Sequence, residues 1–597
     1  MRREECSLKM NLCSQRGLKA AWLLAITLYG APLGAQAAPW SDSLTSASLP
    51  EVSVLGGRWQ TGAKPSVQLP ARPMGWSASE LMRSGIDLRQ TGPTGSAWIS
   101  LDGLPSNHTW IQWEGMALSA ADLGVMDLQL LPSAGLSMQR SADGLRLSSD
   151  SIGSLSLESS TLGNAGLNLW IPGKTADFGL SARRGLNRYR YRDYLGDRYW
   201  RTGGGTERLE FRSSLRSSIG QIKQSTHFYA VWLKQGLPES ANVPRRLGAV
   251  QQDLRATVIQ RQEWNSQRWE WSSTQHVVLA NQTYDYPLLG GIHDSNGVQT
   301  IGIRVQTGYR RSGHRLRSSL DVDRLMAEGP NKSPASVLRL QLMLRGEGMA
   351  SPMLRYSWGL SQLRQGDELG TLLPFAELQH KGLGQKASWN VKLHRHQRFP
   401  TLNDLFWSPG GNPELRPELG WESRAKASHR MGSMEAYAGI LRDAIFWIPT
   451  GSIWMPRNVE SLRRIGINLT STLQNGPWQS HIAAQWVYSI NNFGLRMPYV
   501  APFTLNIPLR YRRKEWELEV FNRFRSATPT AWSSSRDTWI GPQFQLDAIL
   551  RWQGAKSSVE FALTNATNQP IYLQLGYPLP GRQFSVTWHC PLASITQ

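Results

Sequence analysis

Val559-Glu-Phe-Ala-Leu-Thr-Asn-Ala-Thr-Asn-Gln-Pro-Ile-Tyr572, running into Gly576-Tyr-Pro-Leu-Pro-Gly-Arg-Gln-Phe-Ser-Val-Thr-Trp588, is the stretch that decides the fold. It reads as two strands around one turn. In the second, Phe584, Val586 and Trp588 share one face while Gln583, Ser585 and Thr587 share the other. That is the period-two alternation of a strand lying between two different solvents.

The start of the chain points to export. Arg16 and Lys19 precede an apolar run from Ala20 to Leu33, and Ala35-Gln36-Ala37 gives the small-x-small cleavage pattern of a secretory signal. The mature chain is expected to begin at Ala38, and a start at Met10 would give the leader a more ordinary length. No later stretch reaches the length of a transmembrane helix. Cys6 and Cys13 leave with the signal, so Cys590 stands without an intramolecular disulfide partner.

Composition fits a strand-rich exported protein. The 26 Trp and 55 Gly, with a mean hydropathy of -0.38, exclude a helical membrane protein but supply the girdle aromatics and turn glycines of a barrel. The formal charge is +21, and removing the five Lys/Arg and two Glu of residues 1–37 leaves +18. Such a balance suits anionic lipid or an anionic ligand. Nucleic acid is not expected, because the basic residues are spread along strands without a blocked tail or zinc-finger spacing.

Alternation continues through the last four hundred or so residues. Trp389, Val391 and Leu393 alternate with Asn390, Lys392 and His394, and Leu338 to Leu344 with Arg339, Gln341, Met343 and Arg345. Phe503, Leu505, Ile507, Leu509 and Tyr511 alternate with Thr504, Asn506, Pro508 and Arg510, and Trp516, Leu518 and Val520 with Glu515, Glu517 and Glu519. A soluble sandwich would alternate too, but the signal and the high polarity of the second face favour a membrane barrel with a wet lumen. At about 20 residues per strand and connection, the span from Gly153 to Trp588 holds about 22 strands. Pro508 inside its strand implies a bulge or a strand boundary.

The segment before the barrel differs. Ser77-Ala-Ser-Glu80 is a capping-box pattern ahead of apolar Leu81 and Met82, and turn-separated short strands follow, so a small α+β domain precedes the β-rich one. Gly85-Ile-Asp-Leu-Arg-Gln90, Ile99-Ser-Leu-Asp-Gly-Leu-Pro-Ser-Asn107, Trp113-Glu-Gly115 and Ser151-Ile-Gly-Ser-Leu-Ser-Leu157 follow in order. Arg398-Phe-Pro-Thr-Leu-Asn-Asp-Leu405, Gly411-Asn-Pro-Glu-Leu-Arg-Pro-Glu418 with Glu422, Ile445-Phe-Trp-Ile-Pro449, Trp454-Met-Pro-Arg-Asn458 and Met497-Pro-Tyr-Val-Ala-Pro502 come later. The Asn-Pro and Arg-Pro pairs bias their predecessors away from helix and mark a loop turning back into a strand.

Together with the closing hairpin, these motifs resemble the TonB-dependent outer-membrane receptors, in particular the cobalamin (vitamin B12) receptor group. The resemblance implies a signal peptide (1–37), a periplasmic segment (38–58), a plug (59–150) and a multi-pass outer-membrane β-barrel (151–597). Asp102 stands where the family has Arg, and Glu114 where it has Asp. A buried charge left unpaired by such a reversal would cost several kcal/mol, so the plug has either rebuilt its network or lost tight coupling. The plain reading of Asp102 is a turn-forming Asp-Gly.

The family expectation is active uptake of a scarce ligand, a corrinoid first and an iron chelate (siderophore) second. A surface-binding or signalling receptor with a weakly coupled plug is a second class, and passive diffusion through an open barrel, which the plug-like domain disfavours, is the third. The implied partners are the TonB energy-transducing complex, the small-molecule ligand, outer-membrane lipid and, in some arrangements, a surface lipoprotein. Leu49-Pro-Glu51-Val52-Ser53-Val54 resembles the box offered to TonB as an added strand, an interaction carried by backbone hydrogen bonds. Glu51, Val52, Ser53 and Val54 are thus the expected TonB contacts. Ligand contact is implied for two plug loops, at Gln90, Thr91, Gly92, Thr94, Gly95 and Ser96 and at Leu118, Ser119 and Asp122; otherwise these are ordinary surface turns. Their Gly, Pro, Thr and Ser content suits exposed backbone donors at a wet site.

No enzyme motif is present: there is no nucleotide-binding glycine loop, His-Glu-x-x-His or CxxC. No cofactor is implied. His394 and His396 share a strand face and could hold a metal, but no third ligand is evident, and they are expected to line the lumen with Lys392 and Arg398. Asp321-Val-Asp323 and His293-Asp-Ser-Asn296 read as solvated loop carboxylates, too sparse for calcium.

Overall fold

A computed structural model describes residues 69–592 except 71, 75, 77–80, 83–85, 119–123, 142–143, 193–196, 239, 242–247, 287–290, 331, 383–386, 409 and 451–452. The leader, Glu51 to Val54, Ser77 to Glu80, Ser119 and Asp122 lie outside these residues.

The alternating segments form a closed antiparallel barrel of twenty-two strands, from Gly153–Ser160 to Gln583–Leu592. The last strand pairs with the first, Trp588 opposite Leu157, so the barrel has no open edge. The two faces sort as their chemistry requires. Trp389, Val391 and Leu393 are exposed on the outside, whereas Lys392, His394 and His396 are buried on the inside. Two-residue connections such as Gly220-Gln221 and Ser312-Gly313 lie at one end, and long ones such as 399–417, 526–542 and 565–582 at the other. In an outer-membrane barrel the short turns face the periplasm and the long loops the exterior.

Four expectations need correction. The closing segment is not two strands around one turn: Ser558–Thr564 and Gln583–Leu592 are joined by residues 565–582, which contain a small hairpin of their own, Tyr572–Gln574 with Tyr577–Pro578. Asn565 and Asn568 take positive φ there, and the Asn568 carboxamide oxygen accepts from Arg582 N at 2.9 Å, so polar side chains organise a longer loop. Pro508 makes neither a bulge nor a boundary. The ladder to Trp478–Asn491 lapses opposite Ile507 and Pro508 and resumes in the same register, because proline has no N–H to donate. Asp321, Asp323 and the His293–Asn296 run lie within strands, where Asp321 takes two bonds from Arg304 at 2.9 and 2.7 Å and Asp323 is paired with Arg339 at 2.7 Å.

Ahead of the barrel, seven short strands are described: β1 (Leu69–Pro70), β2 (Asp87–Gln90), β3 (Ala97–Ser100), β4 (Trp110–Trp113), β5 (Met116–Ala117), β6 (Leu136–Ser141) and β7 (Gly144–Ser149). Five form a sheet in the order β1-β6-β7-β4-β5, with β4 and β7 parallel, and β2–β3 is a separate hairpin. Leu81 and Met82 are helical and buried, as the capping pattern before them leads one to expect. Trp113, Leu118, Leu131, Leu136 and Met138 centre the core, which Tyr229, Val231, Ile259 and Val278 of the inner barrel wall complete. This domain is the plug, and the wall finishes its hydrophobic core.

Candidate functional site

Asp102 and Gly103 have φ of 52° and 77°, so the plain reading of a tight Asp-Gly turn after β3 is correct as far as it goes. The turn also pushes the carboxylate against the wall. Arg424 donates to it at 2.9 Å, Asn468 at 3.0 Å and Gln485 at 3.4 Å, while Arg464 donates to the Asp102 carbonyl at 2.8 Å. Arg424 and Arg464 are in turn paired with Glu422, and Arg424 with Glu435. Three carboxylates and two guanidiniums therefore share one buried network. The reversed charge at position 102 has its partners, so the network is rebuilt around an acidic plug residue.

Two further contacts anchor the plug. His108 Nε2 lies 2.8 Å from Glu418, whose carboxylate also takes two bonds from Arg398 at 2.7 Å. This explains the Arg398-to-Glu418 motif: its first and last residues clamp the base of the loop, and a Thr401–Asp404 capping box starts the helix Leu402–Phe406 inside it. On another part of the wall, Glu210 accepts from Ser133 N and Ala134 N at 2.8 and 3.0 Å, and Arg208 donates to the carbonyls of Gln129 and Leu131 at 2.8 and 2.7 Å. Here barrel side chains satisfy the backbone of a plug loop that would otherwise be buried unpaired. Burial pushes the nearby Asp127 carboxyl above its ordinary range, although Gln129 N and Ala97 N donate to it at 2.9 and 3.1 Å. Glu114, at φ 49° in the β4–β5 turn, stands 3.7 Å from His227.

The loop of the β2–β3 hairpin lies against the long-loop end of the wall. It is not the exposed donor site expected. Gln90, Thr94 and Ser96 are buried, with the Thr94 hydroxyl 2.6 Å from that of Thr206 and Gln235 donating to the Ser96 hydroxyl at 3.1 Å. Gly92 is buried too, Gly95 O accepts from Gln129 at 3.2 Å, and Thr91 is half-buried. Leu118 is fully buried in the plug core. Wall side chains thus take the Thr94 and Ser96 hydroxyls, and the plug's own Gln129 takes Gly95 O.

The opposite face of the hairpin is open. Arg89 and Trp98 are cross-strand partners, with the Arg89 guanidinium 4.4 Å from the Tyr499 ring centre and its Nε donating to Gln574 at 3.3 Å. An aromatic and cationic surface therefore stands beside the predicted tip. The signal was available in Asp87-Leu-Arg-Gln90, where alternation places Arg89 opposite buried Leu88 and Gln90, but its partner Trp98 follows only from the pairing.

Pairing also supplies what the two histidines lacked. His394 faces Glu422 across the ladder, and one ligand atom each from His394, His396 and Glu422 lie within 4.8 Å of one another. Glu422 is bonded to both guanidiniums of the Asp102 network, so this arrangement serves an ion-paired contact, and the two histidines line the inner wall with Lys392 and Arg398 as expected.

Residues 355–568 match the family model described as TonB dependent receptor-like, beta-barrel. The vitamin B12 transporter BtuB of Vibrio vulnificus is 32% identical over 95 residues, 15% of this chain and 16% of the relative. That of Photobacterium profundum is 33% identical over 88 residues, 13% of this chain and 14% of the relative. The matched segment thus spans about a sixth of each relative's length. Among solved structures, the copper transporter OprC superposes with a TM-score of 0.71 at 13% identity, over 88% of this chain and 96% of that one. The FrpB iron transporter of Neisseria meningitidis gives 0.70 at 11%, over 89% and 100%, and a variant of the ferric enterobactin receptor PfeA of Pseudomonas aeruginosa 0.72 at 13%, over 89% and 99%. At such identities these structures establish the fold. With the matched segment lying inside a closed barrel that holds a plug, the chain is an outer-membrane β-barrel whose residues 355–568 form a TonB-dependent receptor-like barrel domain.

Proposed function

We propose that this protein takes up a scarce ligand across the outer membrane by TonB-dependent active transport, with a corrinoid as the first candidate. The observation that carries this reading is the way the plug is held. Separate polar contacts at Asp102, His108 and Gln129–Ala134 tie it to the wall, and a pull can break them group by group without opening the barrel ladder. In this reading TonB takes Glu51 to Val54 as an added strand, and no catalytic role is assigned. The ligand rests on the Arg89–Trp98–Tyr499 surface, which the buried Gln90–Ser96 tip and Leu118 support from within the plug; Ser119 and Asp122 are kept as contacts on the family resemblance alone. Corrinoid is preferred because the BtuB matches extend through aligned sequence, whereas the iron transporters share fold only. An iron chelate is second, and a surface lipoprotein is a candidate partner.

Uptake of labelled cyanocobalamin and of a ferric siderophore by cells dependent on this protein separates these readings. Cyanocobalamin accumulation abolished by a protonophore is expected. Ferric accumulation alone would move the assignment to chelates, and uptake of either that ignores the protonophore would overturn active transport. Trp98→Ala should weaken binding by about 2 kcal/mol, as loss of a central aromatic contact does; unchanged affinity in titration of the purified protein would take the hairpin face out of the site.

A further inference from the structure

The loop between the barrel strands Ala176–Gly185 and Thr206–Ile219 contains Arg188-Tyr-Arg-Tyr-Arg192 and Arg198-Tyr-Trp-Arg201, folded as a hairpin of Tyr189–Arg192 with Arg198–Arg201. Pairing gives it two faces of different character. On one, Tyr189 and Arg201 are buried: the Tyr189 hydroxyl donates to Pro578 O at 2.7 Å, and the Arg201 guanidinium lies 5.3 Å from the Tyr577 ring centre. This face fastens the hairpin to the neighbouring loop.

The other face is exposed. Arg190 stands opposite Trp200, and the guanidiniums of Arg188 and Arg190 lie 4.9 and 4.8 Å from the centre of the same indole. Arg198 is exposed beside them. Among the described residues, none of Arg188, Arg190 and Arg198 forms an ion pair. Two exposed guanidiniums held over one ring leave N–H donors free for planar or tetrahedral oxyanions. Among the described residues, no plug side chain is bonded to Arg188, Arg190 or Arg198.

Its place on the barrel identifies what would cover it. Arg184, Glu207 and Lys234 stand side by side across three adjacent strands at the long-loop end, where Arg184 pairs with Glu207 at 3.3 Å. Leu209 and Trp232, the next outward-facing cross-strand pair, begin the exposed apolar belt, which continues through Phe211 and Leu215. Arg188 and Arg190 follow Arg184 by four and six residues on the exterior side of that boundary, which puts the hairpin beyond the end of the lipid-facing belt, on the side of the outer-leaflet headgroups. A soluble anion would meet the charges only. A phosphorylated, acylated sugar would meet the charges with its phosphates and the belt with its chains. We propose that this face holds the phosphorylated headgroup of an outer-leaflet glycolipid, with Arg188, Arg190 and Arg198 on the phosphates and Trp200 at the polar boundary.

Native mass spectrometry of the full-length protein in detergent, offered bis-phosphorylated lipid A or its dephosphorylated form, tests this. The phosphorylated lipid should be retained and the dephosphorylated one lost. The triple variant Arg188→Gln/Arg190→Gln/Arg198→Gln should weaken retention at least about tenfold, a conservative figure for removing three cations from an anionic surface, with the heat-modifiable mobility of a folded barrel unchanged. Should the triple variant not fold, Arg188→Gln and Arg198→Gln taken singly carry the same test, each expected to weaken retention about fivefold. Equal retention by variant and wild type overturns the proposal. So does equal retention of the dephosphorylated lipid, or displacement by inorganic phosphate at the same concentration, which would mark a site for soluble anions.

Discussion

Asp102 is the residue on which sequence and structure differ most usefully. As a turn former it needs only to tolerate a positive φ, a demand that asparagine meets as well. As the acid in a network with Arg424, Asn468 and Gln485 it needs its charge. Asp102→Asn separates the two roles. Losing a charge-assisted bond at a buried site should loosen the plug by about 1.5 to 3 kcal/mol, seen as a lower urea midpoint for protease access to the plug and as ion leakage across planar bilayers. A midpoint and leak equal to wild type would leave Asp102 with a turn role only. Glu418 makes a second case, since Glu418→Gln leaves the buried Arg398 without its main partner. About 3 to 5 kcal/mol of destabilisation is expected from an uncompensated buried charge, read by thermal unfolding, and an unshifted transition would contradict the clamp.

At the scale of elements, the closing strand joins sequence pattern to barrel closure. Phe584, Val586 and Trp588 share its outer face, Phe584 stacks on Phe561 of the preceding strand, and Trp588 lies opposite Leu157 of the first. Trp588→Lys should cost about 2 to 4 kcal/mol if it sits near the midplane, and undiminished outer-membrane yield and gel mobility would argue against a lipid-facing seam. The strand does not stop at the aromatic. His589, Cys590, Pro591 and Leu592 continue the ladder opposite Ser156, Leu155, Ser154 and Gly153. A sequence reading that ends the strand at Trp588 makes residues 589–597 dispensable, whereas the pairing predicts that their deletion impairs assembly. Removing 593–597 is the matched control, and equal yields from both truncations would restore the shorter strand.

For the whole molecule, the arrangement separates holding from pulling. The plug contacts lie in the lumen, while Glu51 to Val54 precede the plug in sequence. In the proposed reading Glu51 to Val54 pair with TonB as a strand, and Val52→Pro deletes a backbone donor from that segment and restricts its φ. Ligand binding at the cell surface should persist while accumulation fails, measured with labelled ligand on intact cells. Wild-type accumulation that still requires proton-motive force would place the energy contact elsewhere in the chain.

What the sequence determined by itself was the class of fold and its inside and outside. Alternation at period two is a local property, so Trp389, Val391 and Leu393 could be sorted from Lys392 and His394 without knowing any neighbour, and the number of strands followed from length. The order of motifs carried the family resemblance, which the family model bears out over residues 355–568. The candidate site was legible only in part, because its members meet across the ladder and between domains. Asp102 finds Arg424 some three hundred residues away, Glu422 joins His394 by strand register, and Arg89 and Trp98 share a face only once β2 and β3 pair. The polar tip at Gln90–Ser96 read as solvent-facing because hydroxyls and glycines usually are, yet the tertiary structure gave those groups wall partners at Thr206 and Gln235 and a plug partner at Gln129. Hydrogen-bond satisfaction is settled by what packs opposite, and that information belongs to the closed barrel rather than to any one segment.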